Sequence, residues 1–150
     1  FEPNRKVTRA EFVTILGKTE NIDKTSMKIK NFEDVDTASI FAPYIAWAES
    51  NGMTAGSNGK KFRPNDLITR EEMATMLCVY LVNVRGEILT MGNNFKDDSA
   101  ISEAYKDSVM LVTGSEFLSG RTNGNFDPKG NVTRAEIATT IYRLIERINL

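Results

Sequence analysis

Histidine is absent from this chain of 150 residues, and cysteine occurs once, at Cys78. Without histidine the chain has neither the usual general base near neutral pH nor the commonest metal ligand. A lone cysteine closes no intramolecular disulfide; with no imidazole to activate it, Cys78 reads as a small hydrophobe in an apolar helical run. No surplus of charge exists either. With 19 basic residues against 20 acidic ones, no global field holds nucleic acid or an anionic membrane, so any anion must be bound locally. No apolar run approaches the roughly 18 residues of a spanning helix. Phe1 to Lys6 lack the basic and apolar regions of an export signal.

What the sequence does contain is an internal repeat. Val7-Thr8-Arg9-Ala10-Glu11-Phe12 returns as Ile68-Thr69-Arg70-Glu71-Glu72-Met73 and as Val132-Thr133-Arg134-Ala135-Glu136-Ile137. The flanks return as well, with Phe1-Glu2-Pro3, Phe62-Arg63-Pro64 and Phe126-Asp127-Pro128 upstream of the three copies. A chance six-residue match does not bring its flanks along, so the unit is structural. Nothing before Phe1 matches the segments preceding Phe62 and Phe126, so the first copy is expected to lack its front half. The chain is then expected to be a fragment or a processed product. A chain of this length buries roughly 70 % of its unfolded surface, enough for one shared core rather than three independent ones.

Each copy reads as a helix start. Thr is the N-cap, Glu three residues on is its reciprocal partner, and the apolar residue before Thr faces the one four residues after it. The arginines Arg9, Arg70 and Arg134 fall at the first helical position, where the dipole disfavours a cation by a few tenths to about 1 kcal/mol. Two explanations stand side by side. A guanidinium beside free helix-terminal amides is a receptor for a carboxylate or phosphate; alternatively, each arginine pairs with a neighbouring repeat, for instance with Asp34 or Asp97.

Asn31-Phe32-Glu33-Asp34 matches Asn94-Phe95-Lys96-Asp97, and Gly56 to Pro64 matches Gly120 to Pro128, so the unit is helix, loop, helix. Pro43 suits a first helical turn, with Gly52 as a stop; in the third copy Glu116 replaces that glycine and Leu111 replaces Trp47. Apolar residues at helical spacing follow each Thr-Arg pair, among them Phe12, Ile15 and Leu16; Met73, Met76, Leu77, Tyr80 and Leu81; Ile137, Ile141, Leu144, Ile145 and Ile148. Lys18 to Lys30 and Val84 to Asn93 are polar and read as connectors. The glycine-rich stretches at Gly56–Gly59 and Gly120–Gly124 read as turns that border a groove, since neither continues into the lysine and hydroxyl pair of a phosphate loop. Asp34 and Asp97 read as loop caps or arginine partners; Trp47 reads as core or as a stacking platform for a sugar ring.

The order F-x-D, aromatic helix, G-x5-F-x-P and then [IV]-T-R-[AE]-E at a helix start resembles the S-layer homology (SLH) module over nearly the whole chain. The resemblance implies a mainly α fold of three helix-loop-helix repeats, pseudo-threefold around a central three-helix bundle, with the first repeat truncated. The expected boundaries are 1–31, 32–94 and 95–150. It further implies a non-catalytic module, with no cofactor and no metal, that anchors bacterial surface proteins. Such modules bind secondary cell-wall polysaccharide or a peptidoglycan-linked glycan, commonly through pyruvylated N-acetylmannosamine. Other surface-layer proteins are the further expected partners, and the location implied is extracellular, at the wall. The ligand residues carried over are Arg9, Arg70, Arg134, Glu11, Glu72 and Glu136, with Asp34, Asp97, Trp47, Gly56 and Gly120 beside them. Glu71 departs from the usual alanine and is expected to weaken an anionic ligand next to Arg70. A self-assembly or protein-docking module, in which the arginines hold repeats together, is the alternative reading; an enzyme has no acid/base pair to stand on.

Overall fold

The computed structural model describes residues 1–149. Among the described residues five α-helices carry the fold: α1 Arg9–Thr19, α2 Ala42–Ser50, α3 Arg70–Val79, α4 Lys106–Gly114 and α5 Arg134–Ile148. Among the described residues there is no strand, only isolated bridges such as Lys6 with Thr133 and Thr8 with Leu67. The expected mainly α class therefore stands. α3 runs on into a wider turn at Tyr80–Val84, and single-turn helices stand at Lys24–Ser26, Asp98–Ala100 and Glu103–Tyr105. Lys18 belongs to the last turn of α1, so the first connector starts later than its composition indicates.

The three helices that follow Thr-Arg begin as the sequence dictates. Thr8, Thr69 and Thr133 each accept a hydrogen bond from the backbone N–H of Glu11, Glu72 and Glu136, and each glutamate reaches back to its threonine amide. Pro43 sits in the first turn of α2, where its missing N–H costs nothing. Glu116 takes φ 61°, the left-handed value that Gly52 takes in the second copy at 78°, so the turn is kept although the glycine is lost.

Three segments close on one another through backbone hydrogen bonds. Val7 N–H donates to the Val132 carbonyl, Val132 N–H to that of Ile68, and Ile68 N–H to that of Val7, at 3.0, 3.1 and 3.0 Å. All three residues are fully buried, so this ring lies inside the common core. Buried side chains from α1, α3 and α5 belong to one apolar cluster that also takes in Trp47, Phe62 and Phe126. The closest helix pairs are α1 with α2 and α3 with α4, so α1 and α3 are each flanked by the first helix of the following repeat. Among the described residues no such helix flanks α5; Ile145, of its expected core face, is 49 % exposed, and the neighbouring Tyr142 62 %.

Candidate ligand-binding grooves

Each joint between repeats is built from the two recurring motifs, T-R-x-E on one side and F-x-P on the other. The Arg9 guanidinium lies 4.9 Å from the centre of the Phe62 ring, donates from Nε to the Phe62 carbonyl at 2.9 Å and from Nη1 to that of Ala55 at 2.6 Å, and pairs with Glu72 at 3.2 Å. Arg70 repeats the pattern on Phe126. Its Nε donates to the Phe126 carbonyl at 2.8 Å, Nη2 to Ser119 at 2.8 Å, and Nη1 to Glu136 at 2.7 Å. Both arginines are fully buried, and burial pushes both guanidinium pKa values down against the pull of Glu72 and Glu136. Of the two explanations for an arginine at this position, pairing with a neighbouring repeat accounts for Arg9 and Arg70.

The helix starts are also not free. Arg9 N–H donates to the Asp66 carbonyl and Ala10 N–H to that of Pro64; Arg70 and Glu71 do the same to Gly130 and Pro128, and Arg134 and Ala135 to Arg5 and Pro3, all at 2.9 to 3.0 Å. With the third amide held by the capping threonine, the expected receptor of open helix-terminal amides does not exist at any of the three. The proline carbonyl of F-x-P is the acceptor that replaces an anion.

Asp34 and Asp97 sit behind these joints rather than beside the arginines. Asp34 accepts from the amides of Phe62 and Arg63 at 2.8 Å each, and Asp97 from those of Phe126 and Asp127 at 2.7 and 2.8 Å. They fix the F-x-P turn, whose middle residues Arg63 and Asp127 adopt φ 62° and 61°. Trp47 is buried edge-on against Tyr80, their ring centres 6.4 Å apart, and is a core residue. Gly56 lies so close to the Arg9–Glu72 pair that any Cβ would collide with both, and its N–H donates to the Tyr105 hydroxyl at 2.9 Å. A Cβ on Gly120 would instead strike the Phe95 ring. Glu71 is buried, accepts from the Ser102 N–H and hydroxyl at 2.9 and 2.8 Å, and pairs with Lys129. Its charge is matched there, so the expected repulsion of a ligand next to Arg70 loses its basis. Cys78 is buried, and burial raises its thiol pKa, as suits a hydrophobe.

Arg134 differs from its counterparts. It is half-buried over the Phe1 ring at 5.2 Å, and among the described residues it has no side-chain hydrogen bond or ion pair. It opens into a groove of about 260 Å³ with Arg5, Lys18, Glu11, Thr14 and Phe41. Three cations there face one carboxylate, Glu11, which pairs with Arg5 at 3.0 Å. The Thr14 hydroxyl, buried among these residues, has no hydrogen-bond partner among the described residues, whereas its repeat counterparts Thr75 and Thr139 donate to the carbonyls of Glu71 and Ala135.

A second groove of about 160 Å³ gathers Arg70, Arg121, Arg143 and Glu136 around Ser119 and Gly120. Glu136 accepts from Arg70 and from Arg121, the latter at 2.6 Å. Burial alone would raise its pKa, but the Thr133 amide and the two guanidinium groups hold it below its ordinary value. Arg143 is half-buried, with no partner among the described residues. Lys18 and Arg143 each stand ten residues after their capping threonine. The third residue at that offset is Val79, so the Arg9–Glu72 joint has no cation at that helix position, and its further cation is Arg63, 3.6 Å from Glu72. This position was missed in reading the sequence, although carrying the repeat alignment two turns further along the helix exposes it.

The family model for the S-layer homology domain matches residues 31–74 and 94–138. The chain belongs to the S-layer homology domain family. This SLH chain is 38 % identical to an amylopullulanase of Thermoanaerobacterium thermosulfurigenes over 149 residues, 98 % of the chain but 8 % of that protein. It is 36 % identical to exoglucanase XynX of Acetivibrio thermocellus over 151 residues, 99 % of the chain and 14 % of that protein. Against the S-layer protein sap of Bacillus anthracis it is 30 % identical over 144 residues, 95 % of the chain and 17 % of the relative. The SLH chain thus spans a small fraction of each of these relatives, and its similarity to the two enzymes is to one part of each. No helix among the described residues is long and apolar enough to cross a membrane.

Proposed function

We propose that this SLH chain is a non-catalytic anchor that holds a larger protein to the bacterial cell surface by binding an acidic glycan of the wall. The observation that carries the reading is a guanidinium without a partner among the described residues in each of two grooves, Arg134 next to Lys18 in the first and Arg143 in the second, each beside a capping glutamate; Arg121 in the second is already held by Glu136 and Asp127. A planar guanidinium without a partner favours a carboxylate, and a pyruvate ketal on a sugar supplies one. The unpartnered Thr14 hydroxyl adds a donor or acceptor for a sugar oxygen in the first groove. Arg9, Arg70 and Trp47 are withdrawn from the ligand contacts, because their bonding capacity or surface is already used inside the protein. Relatives named as S-layer proteins and as polysaccharide-degrading enzymes support a shared module for surface attachment.

Sedimentation with purified wall sacculi tests this reading. The protein is expected to pellet with intact sacculi, to stay in solution once acid has stripped the secondary polysaccharide, and to be released by a pyruvylated sugar. Retention on stripped sacculi would point to peptidoglycan or protein as the partner and would refute the acidic-glycan reading.

A further inference from the structure

Of the three helices that follow Thr-Arg, two are covered by a neighbour. α2 lies on α1 and α4 on α3, whereas no helix lies closely on α5 among the described residues. The repeat register shows that the open face of α5 is the face covered on the other two. Two, five and nine residues after the capping threonine stand Ala10, Val13 and Gly17 in α1 and Glu71, Ala74 and Cys78 in α3, all of them buried. Their counterparts in α5 are Ala135, which is half-buried, and Ala138 and Tyr142, which are exposed. Beside these last two, Phe1, Ile15, Ile141 and Ile145 line an apolar groove of about 390 Å³.

Phe1 repeats the contrast. Phe62 and Phe126 are fully buried, each against a phenylalanine of the loop ahead of α2 or α4, Phe32 and Phe95, with ring centres 5.3 Å apart in both pairs. Phe1 is 81 % exposed. In the second and third copies one element, a helix led by an N-F-x-D loop, covers both the aromatic and the helix face. Side-chain size specifies that helix further. Gly17 admits the Tyr44 ring, which a Cβ there would meet at 2.6 Å, and Cys78 meets the smaller side chain of Ser108. Tyr44 and Ser108 are each the third residue of their helices. Bulk at one of the two facing positions is thus matched by a small residue at the other, as close packing requires. Tyr142, the largest of the three, leaves room only for a small residue opposite it.

We propose that the open face of α5 docks a further helix of the α2 and α4 kind, carried by the same polypeptide, with glycine, alanine or serine as its third residue against Tyr142 and a phenylalanine of its leading loop against Phe1. Both joints of this type in the chain are made within one polypeptide, which argues for the source. Burial of the groove's apolar surface supplies the driving force. This docking holds or fails independently of the glycan reading.

Nuclear magnetic resonance of the Ala138 methyl and the Tyr142 ring reads the docking, since shifts stay visible at millimolar affinity. The probes are the α4 peptide, residues 102–116 with Ser108, and the same peptide with Ser108→Tyr. The serine peptide is expected to bind about tenfold tighter than the tyrosine one, the effect of one overpacked side chain. On the Tyr142→Gly chain, which copies Gly17, the order is expected to reverse. Comparing the two peptides within each chain cancels the cost of a glycine in α5 and the low helicity of so short a peptide. The serine peptide joined ahead of Phe1 by a flexible linker is expected to give the same shifts in a chain that sediments as a monomer. Equal affinity of the two peptides in both chains, or no shift with either at millimolar concentration, would overturn the proposal. So would shifts of Ala138 and Tyr142 that appear on concentrating the unlinked chain, which would make a second copy the occupant, or a linked chain that sediments as a dimer.

Discussion

The three arginines of the repeated motif carry the same letter in the sequence and do different work in the protein. Arg70 satisfies the buried Phe126 carbonyl, the Ser119 carbonyl and the Glu136 carboxylate, and is itself 2 % exposed. Arg70→Gln strands those acceptors and is expected to cost about 3 kcal/mol or more of unfolding free energy in a denaturant titration. Arg134→Gln, at a half-exposed site without partners, is expected to cost under about 1 kcal/mol and to lose wall binding instead. A large stability loss in both variants would assign all three arginines to the joints. Glu136 supplies a second test. Its folded pKa lies below its ordinary value, so its contribution to stability is present above that ordinary value and is lost as pH falls through the folded one. The stability gap between the wild type and Glu136→Gln is therefore expected to be constant near neutrality and to shrink only in acid. A gap that shrinks between pH 6 and 8 would trace to another group.

At the scale of helices and turns, much of the arrangement was legible because it depends on local chemistry. Thr8, Thr69 and Thr133 with their glutamates announce capping boxes, and all three form. Pro43 announces a first turn, and α2 begins there. What could not be read was which long-range partner each repeated group meets. The carbonyls of Pro3, Pro64 and Pro128 fill the helix-terminal amides, a bonding choice set by tertiary packing and invisible to spacing. For the same reason Asp34 and Asp97, legible as loop carboxylates, turned out to hold amides of the F-x-P turn rather than arginines. Glu116 lies between these cases, since the missing glycine was visible but the retained left-handed backbone was not. A side chain there costs on the order of 1 kcal/mol. Glu116→Gly is expected to raise stability by roughly 0.5 kcal/mol after the gain in unfolded-state freedom and the loss of an exposed pair with Arg147 are subtracted. A loss of stability in thermal denaturation would mean that the ion pair outweighs the backbone strain.

Across the whole molecule, the closed ring of Val7, Ile68 and Val132 means that each repeat is completed by the next. Arg9 draws its acceptors from the second copy and Arg70 from the third, so neither joint survives the unfolding of one repeat alone. A solenoid, in which a repeat contacts only its neighbours along a line, would fray from one end. A ring with a shared core instead predicts one cooperative transition. Trp47, buried in the second repeat and the only tryptophan in the chain, reports locally, while far-ultraviolet circular dichroism reports all five helices. The two signals are expected to give the same midpoint and the same slope in urea, and Arg70→Gln is expected to move the midpoint without changing the slope. Separate midpoints would show that a repeat unfolds alone, with the helix most at risk being α5, whose Tyr142 and Ile145 face solvent where α1 and α3 are flanked by α2 and α4.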